Sequence, residues 1–326
     1  MITQARAHAN IAVVKYWGKR DEALVLPHTG SISLALSPLT TLTTVELLQG
    51  PGADEVRLDG APASPKEAAR VSKFLDRAAE AGGLAGRPRA RVVSKNDFPT
   101  AAGLASSASG FAALAVAAAD ALELPATVDR SALARLGSGS AARSVPGGWA
   151  EWRRGERADG ADSVAVALAP ASHWDVRLVV ALAPAGRKAV GSREAMARSV
   201  ATSPYYAAWV AGAAADLASA RAAIAARDLL FLGETAEHSF QKMHALAHTS
   251  RPPVVFFEPA TLAALRAVEK LRAEGVPVYA TVDAGPHLVA ICAAADSLRV
   301  EKALAAAPGV ARTIVASPAG GAERVA

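Results

Sequence analysis

The pattern of apolar and polar positions predicts strands and helices in mixed order along the first half of the chain. β-Branched and aromatic residues over 5–17, and a Thr- and Val-rich run over 40–48, are typical of strands. Apolar residues recur at helical spacing over 66–81, which predicts a helix. A strand is then predicted over 89–94 and an Ala-rich helix over 110–122.

The second half of the chain continues this mixture with longer helices. A β-rich run over 174–183 opens it, and two strands over 278–283 and 287–292 are predicted to pair. Helices are predicted over 193–198, 206–225, 228–247, 261–274 and 297–306, before a closing strand over 310–316. The order of strands and helices restarts near residue 172. We therefore expect an α+β fold with two domains, residues 1–171 and 172–326.

Composition narrows the class of protein. Hydrophobic residues make up 52% of the 326 residues and charged residues 20%, which is typical of a globular chain. The formal net charge of +5 suits acidic small molecules and would also permit nucleic acid. The basic residues are scattered, however, and aromatic residues are only 5%, so we expect no nucleic-acid partner.

The chain also carries few signals for membranes or disulfides. No uncharged apolar run is long enough to span a bilayer, and the first residues do not resemble a signal peptide. The single cysteine, Cys292, lies in an apolar run and is expected to be a buried thiol. These features predict a cytoplasmic protein without a membrane partner.

A run of small residues over 96–110 joins a predicted strand to the Ala-rich helix. Small side chains let backbone N–H groups approach a ligand, and Ser106 and Ser107 fall where the first helical turn should start. Such a helix start favours phosphate binding. The Walker A pattern is absent, and a plain helix start with serine caps explains the run equally well.

A second run of small residues, over 137–144, contains one charged side chain, Arg143. Its planar guanidinium suits a carboxylate or a phosphate, and Ser138 and Ser140 could donate to the same anion. An ordinary arginine on the protein surface explains Arg143 equally well.

Three further places carry candidate chemistry. Lys19 follows Gly18 and could extend as a phosphate-binding charge, although a solvated strand end is the simpler explanation. Ser192 and Arg193 open a predicted helix, where Ser192 could serve as N-cap or help to bind a phosphate. Asp283 ends an apolar strand, as expected of a general base, but also of an aspartate in a turn.

These segments together resemble one enzyme family. The run over 10–22, Asn-Ile-Ala-Val-Val-Lys-Tyr-Trp-Gly-Lys-Arg-Asp-Glu, resembles the opening signature of the diphosphomevalonate decarboxylase family in the GHMP kinase superfamily. The segments over 99–110, 137–144, 192–196 and 283–286 are similar to its other signatures, in the same order. The resemblance spans nearly the whole chain.

The resemblance implies a fold and a reaction. The fold would be the two-domain GHMP kinase fold, with an N-terminal ribosomal S5-like domain, a C-terminal ferredoxin-like domain and a homodimeric assembly. The reaction would be the ATP- and Mg²⁺-dependent conversion of diphosphomevalonate into isopentenyl diphosphate, ADP, phosphate and CO₂. A phosphomevalonate decarboxylase or a mevalonate 3-kinase-type relative is the nearest alternative, and a non-catalytic nucleotide-binding scaffold is an alternative of another class.

The resemblance also implies roles for individual residues. Asp283 would be the base, Lys19 would support developing charge, and Arg143 would orient the substrate carboxylate. The implied substrate-binding residues are Tyr16, Trp17, Ser138, Ser140, Ser192, Arg193 and Met196. The implied nucleotide-binding residues are Ser94, Asn96, Ala101, Ala102, Gly103, Leu104, Ala105, Ser106 and Ser107, with Ser107 also an Mg²⁺ ligand through the ATP phosphates.

The chain departs from the family pattern at a few positions near these motifs. Where the family has the signature Leu-Pro-x-Asn-x-Ser, this chain has His28, Thr29 and Gly30 between the proline and the serine. His287 follows Asp-Ala-Gly-Pro where Asn is usual, and Ala142 stands where Cys is frequent. These changes remove none of the implied chemical groups. They bear on the choice between a monophosphate and a diphosphate substrate.

Overall fold

The computed structural model describes residues 1–98, 106–184 and 190–325 of the chain. Its strands are β1 (Ile2–Val14), β2 (Lys19–Asp21), β3 (Leu26–Pro27), β4 (Ser31–Leu47), β5 (Glu55–Leu58), β6 (Ala61–Pro62), β7 (Ala90–Asn96), β8 (Trp149–Trp152), β9 (Ala165–Ala169), β10 (Val176–Leu182), β11 (Val278–Val282), β12 (Leu288–Ala293), β13 (Arg312–Pro318) and β14 (Glu323–Val325). Its α-helices are α1 (Pro65–Ala81), α2 (Ser106–Ala121), α3 (Arg130–Gly137), α4 (Ala141–Ser144), α5 (Ser192–Thr202), α6 (Tyr206–Ala226), α7 (Leu229–His248), α8 (Pro259–Ala273) and α9 (Ser297–Ala305). The predicted α+β class is confirmed.

The long strand β4 organises the N-terminal half. It pairs antiparallel with β1 along most of its length, and it also pairs with β8, β13 and β7. The sequence predicted a strand only over 40–48, whereas β4 starts at Ser31. Pro38 does not end the strand because the pairing with β1 skips from Leu36 to Thr40, so the proline lies in an irregularity of the ladder.

Helix α2 packs on this sheet and forms the centre of the N-terminal core. Half of its 16 residues are buried alanines, and it contacts both β1 and β4. Alanine side chains allow a helix to approach a sheet closely. Helix α1 adds Phe74 and Leu75 to the same core and begins with a capping box formed by Ser64 and Glu67.

The C-terminal half is a second antiparallel layer with helices around it. Its strand order is β11-β12-β10-β13, and β13 joins it to β4 through the pairs Ser317–Ser37 and Pro318–Leu36. The predicted pairing of β11 with β12 is confirmed. Helices α8 and α9 cover this sheet, while α7 contacts both β11 and β1 and so links the two halves.

The structure also bears on several smaller predictions. The short strands β9 and β14 were not predicted, because each has only a few residues and depends on pairing with β8 or β1. The buried thiol of Cys292 is confirmed, and burial raises its pKa to about 12. No helix in the described ranges is long and apolar enough to cross a membrane. The domain boundary at 171/172 stays a prediction.

Candidate active site

One large cavity brings together nearly all the predicted site residues that the structure describes. Its volume is about 940 Å³, and it lies where the end of β1, the start of α2, the α3–α4 turn, the start of α5 and the end of β11 meet. The predicted residues that line it are Tyr16, Trp17, Lys19, Ser106, Ser107, Ser138, Ser140, Arg143, Ser192, Arg193, Met196 and Asp283. Segments far apart in sequence therefore converge on one site.

An ion pair between the two halves of the chain stands in the wall of this cavity. The Nζ of Lys15 lies 2.5 Å from Oδ1 of Asp283 and donates a second hydrogen bond of 2.9 Å to the carbonyl of Ala12. The Lys15 side chain is only 1% exposed, whereas that of Asp283 is 30% exposed. Burial lowers the pKa of Lys15 below its usual value, although the Asp283 carboxylate opposes the shift. Oδ2 of Asp283 has no hydrogen-bond partner among the described residues.

Lys15 is the residue that the sequence analysis missed. The sequence analysis gave Lys19 the role of supporting developing charge, and that role stays a prediction. Lys19 lies four residues after Lys15, and its Nζ lies 2.5 Å from Oε2 of Glu22. A lysine directly after Val13 and Val14, inside an apolar strand end, was a usable signal. A lysine is rarely buried without a partner, so that position predicts a nearby carboxylate.

Arg143 is buried and faces neutral partners. It is 3% exposed, and its guanidinium donates to Oγ of Ser31 at 2.5 Å and to Oδ1 of Asn10 at 3.2 Å. The alternative of an ordinary surface arginine is therefore wrong. Burial lowers the pKa of Arg143 to about 10, so it stays charged at neutral pH. Its Nε is buried and has no partner among the described residues, and Arg143 lines the cavity.

A row of hydroxyl groups connects the two small-residue runs. Oγ of Ser138 lies 3.3 Å from Oγ of Ser107 and 3.3 Å from Oγ of Ser140. The described part of α2 begins at Ser106, so Ser106 and Ser107 are helical, and their place in the first turn stays a prediction. Gly139 between the other two serines is required by packing, because a Cβ there would lie 2.8 Å from the Tyr16 ring.

Tyr16 and Trp17 differ in how they meet the cavity. Burial raises the pKa of Tyr16, so it remains a neutral hydroxyl, and this hydroxyl has no partner among the described residues. Its ring packs edge-on against Trp152 with centroids 4.8 Å apart. Trp17 is almost fully buried and packs edge-on against Phe256, so most of its side chain belongs to the core.

The first turn of α5 contributes the last group of predicted residues. Ser192 was offered as an N-cap, but the N-cap is Gly191 and Ser192 is the first helical residue. Ser192 is therefore free of that structural role, and it lines the cavity with Arg193 and Met196. Arg193 makes no hydrogen bond or ion pair with any residue that the structure describes.

The remaining nucleotide-binding predictions stay predictions. Ser94 and Asn96 are not among the described residues that line the cavity. Oγ of Ser94 lies 2.8 Å from Oγ1 of Thr43, and Asn96 accepts from Thr41 and donates to Asp59. Ala101, Ala102, Gly103, Leu104 and Ala105 lie outside the described residues.

Two histidines near the site contact other parts of the fold. Nδ1 of His287 accepts the backbone N–H of Ala183 at 3.0 Å. His244 packs its ring 4.3 Å from that of Phe257, and Nε2 lies 3.4 Å from the carbonyl of Val282. Across the described ranges, no group of three or more His, Cys, Asp or Glu residues could hold a metal ion.

Comparisons with known proteins agree with this site. The profile of the diphosphomevalonate decarboxylase-like N-terminal domain matches residues 7–165, and that of the mevalonate 5-diphosphate decarboxylase C-terminal domain matches residues 178–315. The chain is 42% identical to a diphosphomevalonate decarboxylase of Aspergillus fumigatus over 301 residues, which cover 87% of this chain and 74% of that protein.

Solved structures show the same similarity. The mevalonate diphosphate decarboxylase of Staphylococcus aureus superposes with a TM-score of 0.93 at 37% identity, covering 100% of this chain and 99% of that one. A structure described as MDDEF in complex with MVAPP, AMPPCP and magnesium superposes with a TM-score of 0.92 at 37% identity and the same coverage. The predicted GHMP kinase fold is confirmed, and the chain belongs to the diphosphomevalonate decarboxylase family.

Proposed function

We propose that this chain catalyses the ATP-dependent decarboxylation of diphosphomevalonate to isopentenyl diphosphate, with release of ADP, phosphate and CO₂. The observation that carries the proposal is the convergence of Asp283, its buried partner Lys15 and the buried cation Arg143 on one cavity. The cavity is lined by several cations and hydroxyl groups, which suits a substrate bearing a carboxylate and phosphates.

The first chemical step needs an acceptor for the proton of the tertiary 3-hydroxyl. Asp283 lines the cavity, and Lys15 holds its Oδ1, so Oδ2 is the oxygen available to take the proton. As this oxygen takes the proton, the hydroxyl oxygen forms a bond to the γ-phosphorus of ATP and the bond to ADP breaks. Lys15 holds the Asp283 carboxylate in position for the substrate hydroxyl and stabilises its negative charge.

The start of α2 is suited to hold the phosphates of ATP. Ser106 and Ser107 line the cavity with hydroxyl groups at the start of the described part of α2, which suits phosphate binding. The solved relative with AMPPCP and magnesium supports a nucleotide–metal site in the family. The Ser107 hydroxyl is a hard oxygen of the kind that Mg²⁺ prefers, so it would help to hold the ion beside the ATP phosphates. Mg²⁺ would neutralise phosphate charge there.

The second step breaks a carbon–carbon bond. The phosphate leaves C3 with the electron pair of the C–O bond, and the pair of the C–C bond to the carboxylate then forms the new double bond as CO₂ departs. Arg143 lines the cavity and would orient that carboxylate, because Ser31 and Asn10 fix its guanidinium. Tyr16, Ser138, Ser140, Ser192, Arg193 and Met196 complete the substrate pocket.

Turnover with mevalonate, phosphomevalonate and diphosphomevalonate tests this proposal. Each compound is supplied with ATP and Mg²⁺, and ADP is followed by a coupled assay. We expect the highest kcat/KM with diphosphomevalonate. A preference for the monophosphate or for mevalonate would reject the assigned substrate, and no turnover of any of them would favour the scaffold alternative. The homodimeric state and the cytoplasmic location implied by the resemblance stay predictions.

A further inference from the structure

Helix α7 lies behind the Lys15–Asp283 ion pair and contacts the strands that lead to both residues. Lys15 follows the end of β1 and Asp283 follows the end of β11, and α7 packs against both strands. The packing on β11 is close, because a Cβ at Gly233 would lie 2.0 Å from the Tyr279 ring. One rigid element therefore contacts the chain beside each partner of the pair.

A polar side chain of α7 holds the backbone of Lys15. The N–H of Lys15 donates to Oγ of Ser239 at 2.9 Å, and Ser239 is completely buried. Val14 is the last residue of β1, so this bond is made where the chain leaves the sheet. A buried N–H needs a partner, and here the partner fixes the direction in which the Lys15 side chain starts.

A second polar side chain of α7 holds the peptide group before Asp283. Nε2 of His244 lies 3.4 Å from the carbonyl oxygen of Val282. Because a carbonyl oxygen only accepts hydrogen bonds, this contact places the imidazole proton on Nε2. Burial lowers the pKa of His244 to about 3, with a smaller contribution from the charge of Lys15, so the ring is neutral and Nδ1 carries no proton.

Stability alone does not explain the presence of His244. Its ring is 1% exposed and packs against the rings of Phe240, Phe256 and Phe257, with centroids 4.3 to 6.1 Å apart. Its Nδ1 is buried without a hydrogen-bond partner among the described residues, which costs about 1–3 kcal/mol. A phenylalanine would avoid this cost in the same surroundings. What the histidine adds is the N–H that reaches Val282.

Direct bonds between β1 and β11 complete the arrangement. The carbonyl of Ala12 accepts from Nζ of Lys15 at 2.9 Å and from Oγ1 of Thr281 at 3.2 Å. The ion pair therefore lies in a closed loop of contacts that runs from β1 through Ser239 and His244 of α7 to β11 and back to β1. The two α7 residues are about 7.5 Å apart along the helix axis, and this fixed length sets the separation of the two strand ends.

We propose that Ser239 and His244 are positioning residues for the proton acceptor of the reaction. Ser239 holds Lys15 and His244 holds the backbone of Asp283, so that the carboxylate meets the substrate hydroxyl in the productive orientation. This inference rests on the proposed function and extends it to residues behind the site. Neither side chain is among the described residues that line the cavity, so each acts through the ion pair and not by touching the substrate.

The test for His244 compares two amide side chains of different length. His244→Gln carries an N–H donor at a similar distance from the backbone as Nε2, whereas His244→Asn carries the same group on a shorter side chain that does not reach Val282. His244→Phe keeps a ring and removes the donor. For each variant, kcat, KM for diphosphomevalonate, KM for ATP and the thermal midpoint are measured.

We expect kcat to fall about 10-fold in His244→Asn and His244→Phe and to stay within about threefold in His244→Gln, because only the longer amide keeps the bond to Val282. Both KM values should change less than about threefold, because the groups that bind the substrates are unaltered. Unchanged kcat in all three variants would overturn the role of His244. So would a loss in His244→Gln equal to that of the other two, or a loss confined to KM.

The test for Ser239 is a double-mutant cycle with Lys15. Ser239→Ala should lower kcat about 10-fold in the unaltered chain and less than about twofold in Lys15→Met, where the ammonium that it positions is already absent. Ser131→Ala is the matched control, because Oγ of buried Ser131 also accepts a backbone N–H from a distant segment, that of Ala165 at 2.8 Å, and Ser131 does not line the cavity.

The control variant Ser131→Ala should keep kcat within about twofold of the unaltered chain while its thermal midpoint falls. An equal loss of kcat from Ser239→Ala with and without Lys15→Met would overturn the role of Ser239. An equal loss of kcat in Ser131→Ala would also overturn it, because the effect would then come from stability.

The tautomer of His244 is measured without any turnover. In protein made with isotopically labelled histidine, the imidazole nitrogen shifts of His244 show by NMR which nitrogen carries the proton, and their loss in His244→Phe assigns them. We expect the proton on Nε2, and a proton on Nδ1 would overturn the proposal. Failure of the proposed function is a separate result. In that case the unaltered chain decarboxylates no mevalonate phosphate, yet the spectra still show whether His244 has the proton that it donates to Val282.

Discussion

Replacing Lys15 by methionine removes the ammonium group from Asp283 and keeps a side chain of similar length. At 2.5 Å and an effective dielectric constant of 20, the attraction between the two charges is about 6.6 kcal/mol. Part of this is recovered because water can reach Asp283, which is 30% exposed. The expected loss of transition-state stabilisation is about 3 kcal/mol, in line with the removal of one preorganised donor, and it lowers kcat roughly 100-fold.

The assay measures kcat and KM for Lys15→Met with diphosphomevalonate and saturating ATP. Lys242→Met is the matched control, because Nζ of Lys242 also lies 2.5 Å from an aspartate, Asp216, in an ion pair whose residues do not line the cavity. Both variants lose a partly buried ion pair, so urea unfolding reports the common effect on stability. Only Lys15→Met should lose kcat.

Two results would refute this reasoning. If Lys15→Met keeps kcat within about threefold of the unaltered chain, the ion pair has no part in the chemical step. If Lys242→Met loses kcat to the same extent, the effect comes from stability and not from the position of the charge.

Three further predictions follow from the same geometry. Asp283→Ala should abolish turnover while ATP binding, followed by calorimetry, persists; near-normal turnover contradicts its role as base. Arg143→Ala should cut kcat at least 100-fold because the reacting carboxylate loses its guanidinium, whereas a change confined to KM for ATP contradicts that assignment. Burial lowers the pKa of His244 from 6.5 to about 3 in the folded chain. Between these pH values the unfolded chain binds one more proton than the folded chain, so the free energy of unfolding falls as the pH drops below 6.5. In urea unfolding between pH 6 and 4, His244→Phe should reduce the change in the free energy of unfolding with pH by up to about 1.4 kcal/mol per pH unit. The same slope in the variant and the unaltered chain would contradict the lowered pKa of His244.

Local patterns predicted the elements that local forces decide. Apolar spacing predicted a helix over 66–81, one residue short of the start of α1 at Pro65, and the alanine run predicted a helix over 110–122, most of which lies in α2. The start of β4 at Ser31 could not be predicted in this way. Its length depends on β1 and β8, which pair with it from other parts of the chain.

Sequence motifs located the candidate site, but they did not show which charged side chains pair with each other. The roles of Arg143 and Asp283 were implied by the family resemblance, whereas Lys15 was given no role and Lys19 was named instead. Both lysines lie in the same short motif, and their pairing depends on the approach of β11 from the other half of the chain. Sequence spacing alone does not say which lysine meets a carboxylate that lies 268 residues away.

Product stoichiometry tests the central claim most directly. ADP, phosphate and CO₂ are quantified in a single reaction of the purified chain with diphosphomevalonate, ATP and Mg²⁺, beside the Asp283→Asn variant. The account predicts equal amounts of the three products from the unaltered chain and none above background from the variant. ADP formed without CO₂, or equal product formation by the variant, would contradict it.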